Sequence, residues 1–377
     1  MTYQVTPPAN AGTSQSAFEP GNDPAPQLDQ TKIGASKGLA AWLTKNKTSF
    51  AITSYQSGRL FLVGTMPDGT VSVHQQAFSR AMGVCWDRNG LWLASRVQLW
   101  RLENILPEGM TAQGKFDLSL MPRQTFITGD IDIHELAADS EGRPIFVNTA
   151  YSCLATLDPV HSFRPIWKPG FISQLAREDR CHMNGLGMVD GRPKYVTAVS
   201  QTDVESGWHG RPLPKGVIID VQTDRVVTDQ LLMPHSPREA PDGKLYAVDS
   251  GRGYLVEVDK QTGDLKDVAF CPGFLRGLAL INGFALVTVS KPRYGKFEEM
   301  PIADELAKHN LDPICAVMVI DLARGEIVEW LRLEGDVQEL FTVELMPNVK
   351  CPMVVGPQTE EFPESITFDE RIRPLDV

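Results

Sequence analysis

The 377-residue chain carries 47 acidic and 36 basic residues, for a net charge of −11, and 42% of its residues are hydrophobic. This hydrophobic content allows a sizeable buried core, and the negative charge argues against nucleic acid or an anionic membrane as the main partner. The longest apolar stretch, residues 278–289, is broken by Asn282 and Gly283 and is shorter than the roughly 18–20 residues that span a bilayer. We therefore expect no nucleic-acid partner and no membrane insertion.

The N-terminal segment is polar and rich in Pro, Ala, Gln and Ser. Residues 1–30 have neither the basic start nor the apolar middle of a secretory signal, and we predict a disordered tail over residues 1–35. The six cysteines are widely spaced and form no Cys-x-x-Cys pair. Without an export signal, reduced cysteines and a cytoplasmic location are expected. Next along the chain, apolar spacing predicts one short helix within residues 36–48.

A repeat of about fifty residues occupies most of the remaining chain. Each unit begins with a short apolar strand, a turn near Asn-Gly or Asp-Gly, and a second strand. Copies of this phrase start at Met82, His134, Asn184, His235 and Arg276, with a degenerate sixth copy at Glu339. A second phrase then places an aspartate and a hairpin turn between two β-rich runs. Its aspartates are Asp158, Asp220, Asp259 and Asp321.

Joining the two phrases gives four short strands per unit and about six units, which is typical of a β-propeller. The last unit has only two clear strands, and residues 50–73 supply the missing ones. Combining the two chain ends in one blade removes an exposed sheet edge. We predict an all-β, six-bladed propeller of four-stranded antiparallel blades over residues 49–358, with seven blades as the alternative. A surface tail over residues 359–377 is expected to follow.

Overlaying the repeats identifies the residues that face the central channel, because the first strand of each blade lines it. They are Met82, His134, Asn184, His235, Arg276 and Glu339. Three of the seven histidines, His134, His182 and His235, fall at or within two positions of this register. His182 precedes Asn184 by two residues, so either both face the channel or His182 lies in the loop before the strand.

Neutral imidazoles that converge from separate strands are common ligands for Zn, Fe, Cu and Mn. The leading hypothesis is therefore a metal-dependent enzyme with His134, His182 and His235 as ligands. Iron or copper is favoured and Zn, Mn or Ca is possible, and oxidative chemistry is slightly favoured because an open all-nitrogen site suits Fe and Cu.

Further roles at this face follow from the same register. We assign catalytic roles to Glu339 and Asn184, as a fourth ligand or a base, and to Arg276. The predicted substrate is an anionic small molecule or peptide, because arginines gather at the predicted mouth. The arginines assigned to substrate binding are Arg80, Arg180 and Arg238. The sequence does not indicate an oligomeric state.

Three alternatives stay open at this point. The channel residues can simply hydrogen-bond to one another and to water. A calcium site with oxygen ligands from Glu339 and Asn184, and a histidine as base, would favour a hydrolase or lactonase. A non-catalytic propeller would bind a protein or peptide. Asp130 and Asp179 either accept hydrogen bonds from metal-bound imidazoles or cap turns.

Five phrases of this sequence resemble a bacterial family of conserved, functionally uncharacterised proteins. They are residues 91–101 (LWLASRVQLWR), 128–137 (TGDIDIHELA), 179–186 (DRCHMNGL), 233–238 (MPHSPR) and 270–279 (FCPGFLRGLA). The match extends from about residue 61 to residue 356. The resemblance implies a single propeller domain and singles out the phrases that contain the three histidines, and it implies no particular reaction. Resemblance to six-bladed calcium-dependent lactonases is architectural only.

Overall fold

A computed structural model describes residues 31–209, 213–293, 295–297 and 299–369. Residues 1–30 of the predicted N-terminal tail and residues 370–377 of the predicted C-terminal tail lie outside the described residues. Within the described part, no helix has the length and apolarity needed to cross a membrane.

Four-stranded antiparallel sheets form a ring of six blades, and the first-named strand of each blade is the innermost. Blade II consists of β5 (Val84–Asp87), β6 (Gly90–Ala94), β7 (Gln98–Asn104) and β8 (Leu118–Ile127). Blade III consists of β9 (Ile133–Ala138), β10 (Pro144–Asn148), β11 (Cys153–Thr156) and β12 (Arg164–Trp167). Blade IV consists of β13 (Met183–Val189), β14 (Arg192–Ala198), β15 (Gly216–Asp220) and β16 (Arg225–Leu231). Blade V consists of β17 (Pro234–Glu239), β18 (Leu245–Asp249), β19 (Tyr254–Val258) and β20 (Leu265–Phe270). Blade VI consists of β21 (Phe274–Ile281), β22 (Phe284–Ser290), β23 (Cys315–Asp321) and β24 (Glu326–Glu334).

Blade I closes the ring with strands from both ends of the chain. Its strands are β25 (Val343–Pro347), β2 (Thr48–Ser54), β3 (Arg59–Thr65) and β4 (Val71–Ala77). The C-terminal strand β25 is innermost and pairs with the N-terminal strand β2. The predicted six-bladed propeller, closed by combining the two chain ends, is confirmed.

The remaining terminal strands extend the two blades beside blade I. Strand β1 (Lys32–Ala35) pairs with β24 at the edge of blade VI, and β26 (Pro352–Val354) pairs in parallel with β8 at the edge of blade II. The second strand of the sixth repeat, β26, therefore joins blade II and not the closing blade I. Residues 32–35, which were predicted to belong to the disordered tail, form strand β1. Both strands cover backbone groups that an open sheet edge would leave unpaired.

In the part of the chain that the structure describes, two short helices pack on the ring. Helix α1 (Leu39–Asn46) buries Leu39 and Leu43 against blades I and VI, and Trp42 contacts Phe284 edge-to-face with ring centroids 5.6 Å apart. Helix α2 (Pro301–His309) lies in the β22–β23 loop and buries Ile302 and Leu306. A 3-10 turn, Gly207–His209, lies in the β14–β15 loop.

Among the described residues, six hydrophobic clusters lie one between each pair of neighbouring blades, and a seventh, smaller cluster surrounds Cys351 and Met353 at the outer edge of blade II. In β2 all seven residues are buried. Phe50 and Ile52 pack toward blade VI, whereas Ala51 packs toward blade II. The strands are therefore apolar on both faces, since successive side chains point to opposite faces and each face meets another blade.

The aspartates of the second repeat phrase stabilise hairpins between the two outer strands, away from the channel mouth. In each case one carboxylate oxygen accepts the backbone N–H groups two and three residues further on, at 2.8 to 3.1 Å. The aspartates are Asp158, Asp220, Asp259 and Asp321. These hydrogen bonds lower the pKa of Asp158 and Asp259. The recurring aspartate is therefore a turn-forming residue.

Candidate functional site at the channel mouth

A cavity of about 180 Å³ lies at the N-terminal ends of the inner strands. Histidines, arginines and aromatic side chains dominate its lining. The lining residues are Tyr55, Arg80, Met82, Asp132, His134, His182, Trp208, Met233, His235, Phe274, Arg276, Arg293 and Phe341. The cavity thus lies at the channel mouth that the repeat predicted.

Two positions of the repeat supply most of the lining. The predicted channel residues Met82, His134, His235 and Arg276 contribute directly. The residue two positions earlier also lines the cavity in blades II to V, and there it adopts a left-handed backbone conformation. These residues are Arg80 (φ 51°), Asp132 (φ 56°), His182 (φ 49°) and Met233 (φ 51°). Such conformations cost non-glycine residues on the order of 1 kcal/mol each and cluster at functional sites.

The left-handed position also decides between the two interpretations of His182. Strand β13 begins at Met183, so His182 lies in the preceding loop. Asn184 is buried below the cavity, where its Oδ1 accepts the Thr197 hydroxyl at 2.7 Å and its Nδ2 donates to His235 Nε2 at 3.3 Å. Asn184 therefore orients His235 and is not part of the cavity lining.

The inner strands of blades III to VI have β-bulges at the channel residues. The regular pairing is interrupted around His134, Asn184, Ser236 and Arg276. A bulge places an extra residue on one strand and redirects side chains, which is why bulges are frequent beside active sites. Here the bulges allow adjacent inner-strand residues, such as His134 and Glu135, both to be buried around the channel.

His134 and His235 are held by the same hydrogen-bond arrangement. His134 Nδ1 contacts the Asp132 carbonyl oxygen at 3.2 Å and the Thr149 hydroxyl at 2.8 Å, and Thr149 donates its own proton to the Met183 carbonyl. His235 Nδ1 contacts the Met233 carbonyl at 2.9 Å and a serine hydroxyl at 3.0 Å. That serine, Ser250, donates its proton to the Leu275 carbonyl. Both hydroxyls must therefore accept, so Nδ1 carries the proton in both rings and Nε2 keeps its lone pair.

Burial keeps these two imidazoles neutral. It lowers the pKa of His134 to about 4 and the pKa of His235 well below its usual range, with the nearby Arg276 charge adding to the second shift. Both rings are therefore hydrogen-bond acceptors at Nε2 at neutral pH. In His235 this atom already accepts from Asn184, whereas His134 Nε2 is the ring nitrogen left for the cavity.

His182 forms a pair with a carboxylate. Its Nδ1 donates to Asp179 Oδ2 at 2.8 Å, and the same oxygen accepts Trp208 Nε1 at 2.8 Å. The Trp208 ring stacks on His182 with centroids 4.0 Å apart, and the rings of His182 and His134 meet edge-to-face at 4.9 Å. Because Asp179 accepts the Nδ1 proton, His182 Nε2 also keeps its lone pair.

An arginine cluster forms another wall of the cavity. Arg293 binds both carboxylate oxygens of Glu339, at 3.0 and 2.9 Å, and Arg276 contacts the same carboxylate at 3.1 Å. Burial by itself would raise the pKa of Glu339, but the two guanidinium groups outweigh it and the net shift is downward. Burial lowers the pKa of Arg276 to about 10, so it stays protonated at neutral pH. Glu339 is thus an ionised partner of two arginines.

Arg80 belongs to a second ion network at the cavity. It contacts Asp130 at 3.5 Å and Asp132 at 3.2 Å, and Arg96 also binds Asp130. Burial would raise the pKa of Asp132, but the net shift is downward because His134, His182 and Arg80 favour its charged form. Asp130 and Asp179 therefore both bind side chains of this site.

The other two predicted substrate arginines lie outside the cavity lining. Arg238 pairs with buried Glu135 further down the channel and donates to the Leu186 carbonyl at 2.7 Å. Glu344 lies close enough to respond to both charges, and burial raises its pKa to about 7. Arg180 is buried between Glu178 and Asp203, at 2.8 and 2.7 Å. The position of Arg180 and Arg238 in the repeat predicted that they lie near the mouth, but their carboxylate partners hold both side chains away from the cavity lining.

Four lining residues lie outside the positions that the repeat identified. They are Tyr55, Trp208, Arg293 and Phe341. Tyr55 lies in the turn after β2 and Phe341 precedes β25, while Trp208 and Arg293 lie in long loops after β14 and β22. These segments do not repeat between blades, so the overlay could not find them. The unusual length of the two loops was the only available signal.

The lining residues do not form the predicted three-histidine metal site. Within the described ranges, no group of three or more His, Cys, Asp or Glu side chains is arranged to hold a metal ion. Every Nδ1 of the three histidines is bound to a protein oxygen, and His235 Nε2 accepts from Asn184. Among the described hydrogen bonds, only His134 Nε2 and His182 Nε2 remain without a protein partner, so two imidazole nitrogens are available where three were predicted.

The calcium alternative meets a similar objection. Both oxygens of Glu339 are bound by arginines, and Asn184 uses its oxygen on Thr197. Two guanidinium groups beside this carboxylate would repel a divalent cation. The residues present therefore do not fit the predicted three-histidine ligand set or a calcium site built on Glu339 and Asn184.

Fold and site together define a six-bladed β-propeller with an aromatic, arginine-rich cavity at its channel mouth. The chain belongs to the family described as "Domain of unknown function (DUF4915)", which matches residues 37–355. The predicted membership of an uncharacterised family agrees with this match. Among curated proteins, none matches the sequence significantly.

Solved structures resemble this chain at low sequence identity. A chain in a nidogen/laminin complex is 13% identical with a TM-score of 0.52, covering 81% of this chain and 100% of that chain. A protein of unknown function from Bacteroides caccae is 8% identical with a TM-score of 0.48, covering 79% and 98%. A gluconolactonase from Xanthomonas campestris is 13% identical with a TM-score of 0.43, covering 75% and 84%. At these identities the likeness concerns the fold alone.

Proposed function

We propose that this protein is an enzyme that performs general acid–base chemistry on a small anionic molecule bound at the channel mouth. One observation supports it most. His134 and His182 have Nδ1 bound to protein oxygens and keep Nε2 available in a cavity that three guanidinium groups also line. Histidine is the commonest general acid or base, and arginine is the side chain best suited to a carboxylate or phosphate.

The two histidines take different roles in this proposal. His182 is the general base, because Asp179 fixes its tautomer and stabilises the imidazolium that forms when Nε2 accepts a proton. His134, with its pKa of about 4, stays neutral and accepts a hydrogen bond from the bound molecule. Arg276 and Arg293 hold the negative charge of the substrate. No step of this chemistry passes through a metal ion.

The test is a search for proton transfer. The protein is incubated in D₂O with a panel of small carboxylic acids, β-substituted acids, esters and lactones, and ¹H NMR follows deuterium exchange at carbon and product formation. We expect turnover of at least one class and a loss of about 100-fold or more in His182→Gln and Asp179→Asn. His161→Gln, at an exposed histidine in the β11–β12 hairpin, is the matched control and should keep full activity.

Three outcomes would contradict the proposal. Turnover unchanged in His182→Gln would remove the assigned base. Turnover that disappears on chelation and returns with Fe, Cu or Ca would support the metal-dependent hypotheses instead. Saturable binding of a protein or peptide without turnover of any panel member would support a non-catalytic propeller.

A further inference from the structure

Two neighbouring histidines of the cavity lining have a hydrogen-bond acceptor that the protein does not use. Nδ1 of His134 contacts Thr149 and Nδ1 of His182 contacts Asp179, and among the described hydrogen bonds neither Nε2 atom takes part in one. Only 9% of the His134 side chain and 14% of the His182 side chain is exposed. A buried acceptor without a donor is unfavourable, so a ligand that donates to both nitrogens is complementary to this wall.

These two acceptors lie close together and are held in place. The rings of His134 and His182 meet edge-to-face with centroids 4.9 Å apart. Phe341 packs against His134 at 5.4 Å, and Trp208 stacks on His182 at 4.0 Å. Because the two imidazoles are in contact, their Nε2 atoms are near neighbours. The groups that donate to both nitrogens must therefore be near neighbours in the ligand.

The other walls of the cavity suit a flat ring. Tyr55, Phe274 and Phe341 line it together with Trp208, and aromatic side chains form stacked or edge-to-face contacts with a planar ring. The volume of about 180 Å³ is close to that of an engineered cavity of about 150 Å³ that takes up benzene. One ring of six atoms with small substituents is therefore the appropriate size.

We propose that the ligand of this cavity has one planar ring with hydrogen-bond donors on two adjacent ring atoms, as in a vicinal diphenol. One donor binds His134 Nε2 and the other binds His182 Nε2. The ring lies against Phe341 and Trp208. This inference rests on the proposed function, because there the same two nitrogens contact the substrate. It names the donor pattern of the substrate, which the acid–base proposal leaves open.

Catechol, with hydroxyl groups on adjacent carbons, is the probe. Resorcinol is its isomer with the hydroxyl groups one carbon further apart, and both are uncharged at neutral pH, so the arginines do not distinguish them. Ligand-observed ¹H NMR titration of the full-length protein measures both dissociation constants, with EDTA present because catechol also binds metal ions. We expect saturable catechol binding, about fivefold or more tighter than that of resorcinol, which leaves one nitrogen without a donor.

Three phenylalanine variants assign this preference to the two histidines. His134→Phe and His182→Phe each keep an aromatic ring and remove one Nε2 acceptor. In each, the affinities for catechol and resorcinol should agree within about twofold. His161→Phe is the matched control, because His161 is exposed in the β11–β12 hairpin, and it should keep the wild-type preference. Circular dichroism checks that the variants are folded, and the comparison of the two isomers on the wild type needs no variant.

Resorcinol binding as tightly as catechol to the wild type, an unchanged preference in folded His134→Phe and His182→Phe, or no saturable catechol binding would overturn this inference. The two proposals fail in different ways. Turnover that depends on His182 without a preference for catechol would contradict only the donor pattern. A preference for catechol that requires both histidines, without turnover of any panel member, would contradict only the acid–base enzyme.

Discussion

At the scale of single residues, the partner of Nδ1 distinguishes the two histidines that face the cavity. The Asp179 carboxylate accepts the hydrogen bond of His182 Nδ1 at 2.8 Å, whereas the nearest groups to His134 Nδ1 are a hydroxyl at 2.8 Å and a carbonyl at 3.2 Å, with the Asp132 carboxylate at 3.5 Å. A carboxylate stabilises the protonated ring more than neutral oxygens do. Identical side chains at neighbouring positions of one register therefore acquire different hydrogen-bond partners from their surroundings.

Lowering the pH should reveal the neutral state of His134. Its pKa is about 4 in the folded protein and about 6.5 in the unfolded chain, so the unfolded state takes up the proton first. The free energy of unfolding should therefore fall as the pH drops from about 6.5 to about 4, by up to about 3 kcal/mol from this group. Urea denaturation of the wild type and His134→Gln at several pH values measures the effect.

In His134→Gln this fall in the free energy of unfolding between pH 6.5 and pH 4 should be absent. Above pH 6.5 the free energy of unfolding should change less with pH than it does below pH 6.5. The exposed control His161→Gln should follow the wild-type curve. Parallel curves for the wild type and His134→Gln between pH 4 and 6.5 would contradict a neutral buried imidazole at this position.

At the scale of elements, the bulged inner strands bring the site residues to the channel mouth. In β21 the bulge contains Arg276 and Gly277. A Cβ atom at Gly277 would lie 2.5 Å from the Val343 backbone nitrogen and 2.8 Å from the Phe341 carbonyl oxygen. The missing side chain thus allows the inner strand of blade VI to approach the first residues of β25.

Gly277→Ala should therefore separate these two strands and destabilise the protein by about 1–3 kcal/mol, as overpacking does. Gly34→Ala in the edge strand β1 is the control, because its Cβ would meet only the Trp330 ring, at 3.8 Å. That variant should lie within about 0.5 kcal/mol of the wild type. Equal urea midpoints for Gly277→Ala and the wild type would contradict the close approach.

At the scale of the whole molecule, the ring depends on strands from both ends of the chain. Strand β25 forms the channel side of blade I, whereas β26 only extends the edge of blade II. An open ring would expose the edge of β2 and the apolar clusters on both sides of blade I. Loss of β25 should therefore destabilise the protein more than loss of β26.

A truncation series tests this difference. A chain that ends at residue 356 keeps both strands and should unfold cooperatively near the wild-type Tm. One that ends at residue 349 loses β26 and should melt a few degrees lower. One that ends at residue 342 loses β25 and should not show a cooperative transition. Circular dichroism melting measures all three, and a cooperative transition in the shortest chain would contradict the closure argument.

The sequence alone determined the repeat, and with it the six blades, the closing blade and the position of the mouth. This was possible because strand alternation and turn residues are local and recur in every blade, as the hairpin aspartates illustrate. The overlay also identified His134, His235 and Arg276 as lining residues for the same reason. What repeats between blades can be predicted without the fold.

Only the tertiary structure decided what does not repeat. Trp208 and Arg293 reach the cavity from long loops, and carboxylates unrelated to the register direct Arg180 and Arg238 away from it. The hydrogen bonds to the histidine Nδ1 atoms, and hence the number of nitrogens available to a ligand, come from Thr149 and Ser250, which directly follow β10 and β18, and from Asp179 in the loop before β13. Side-chain direction and pairing depend on packing between distant segments, and a one-dimensional pattern does not contain that information.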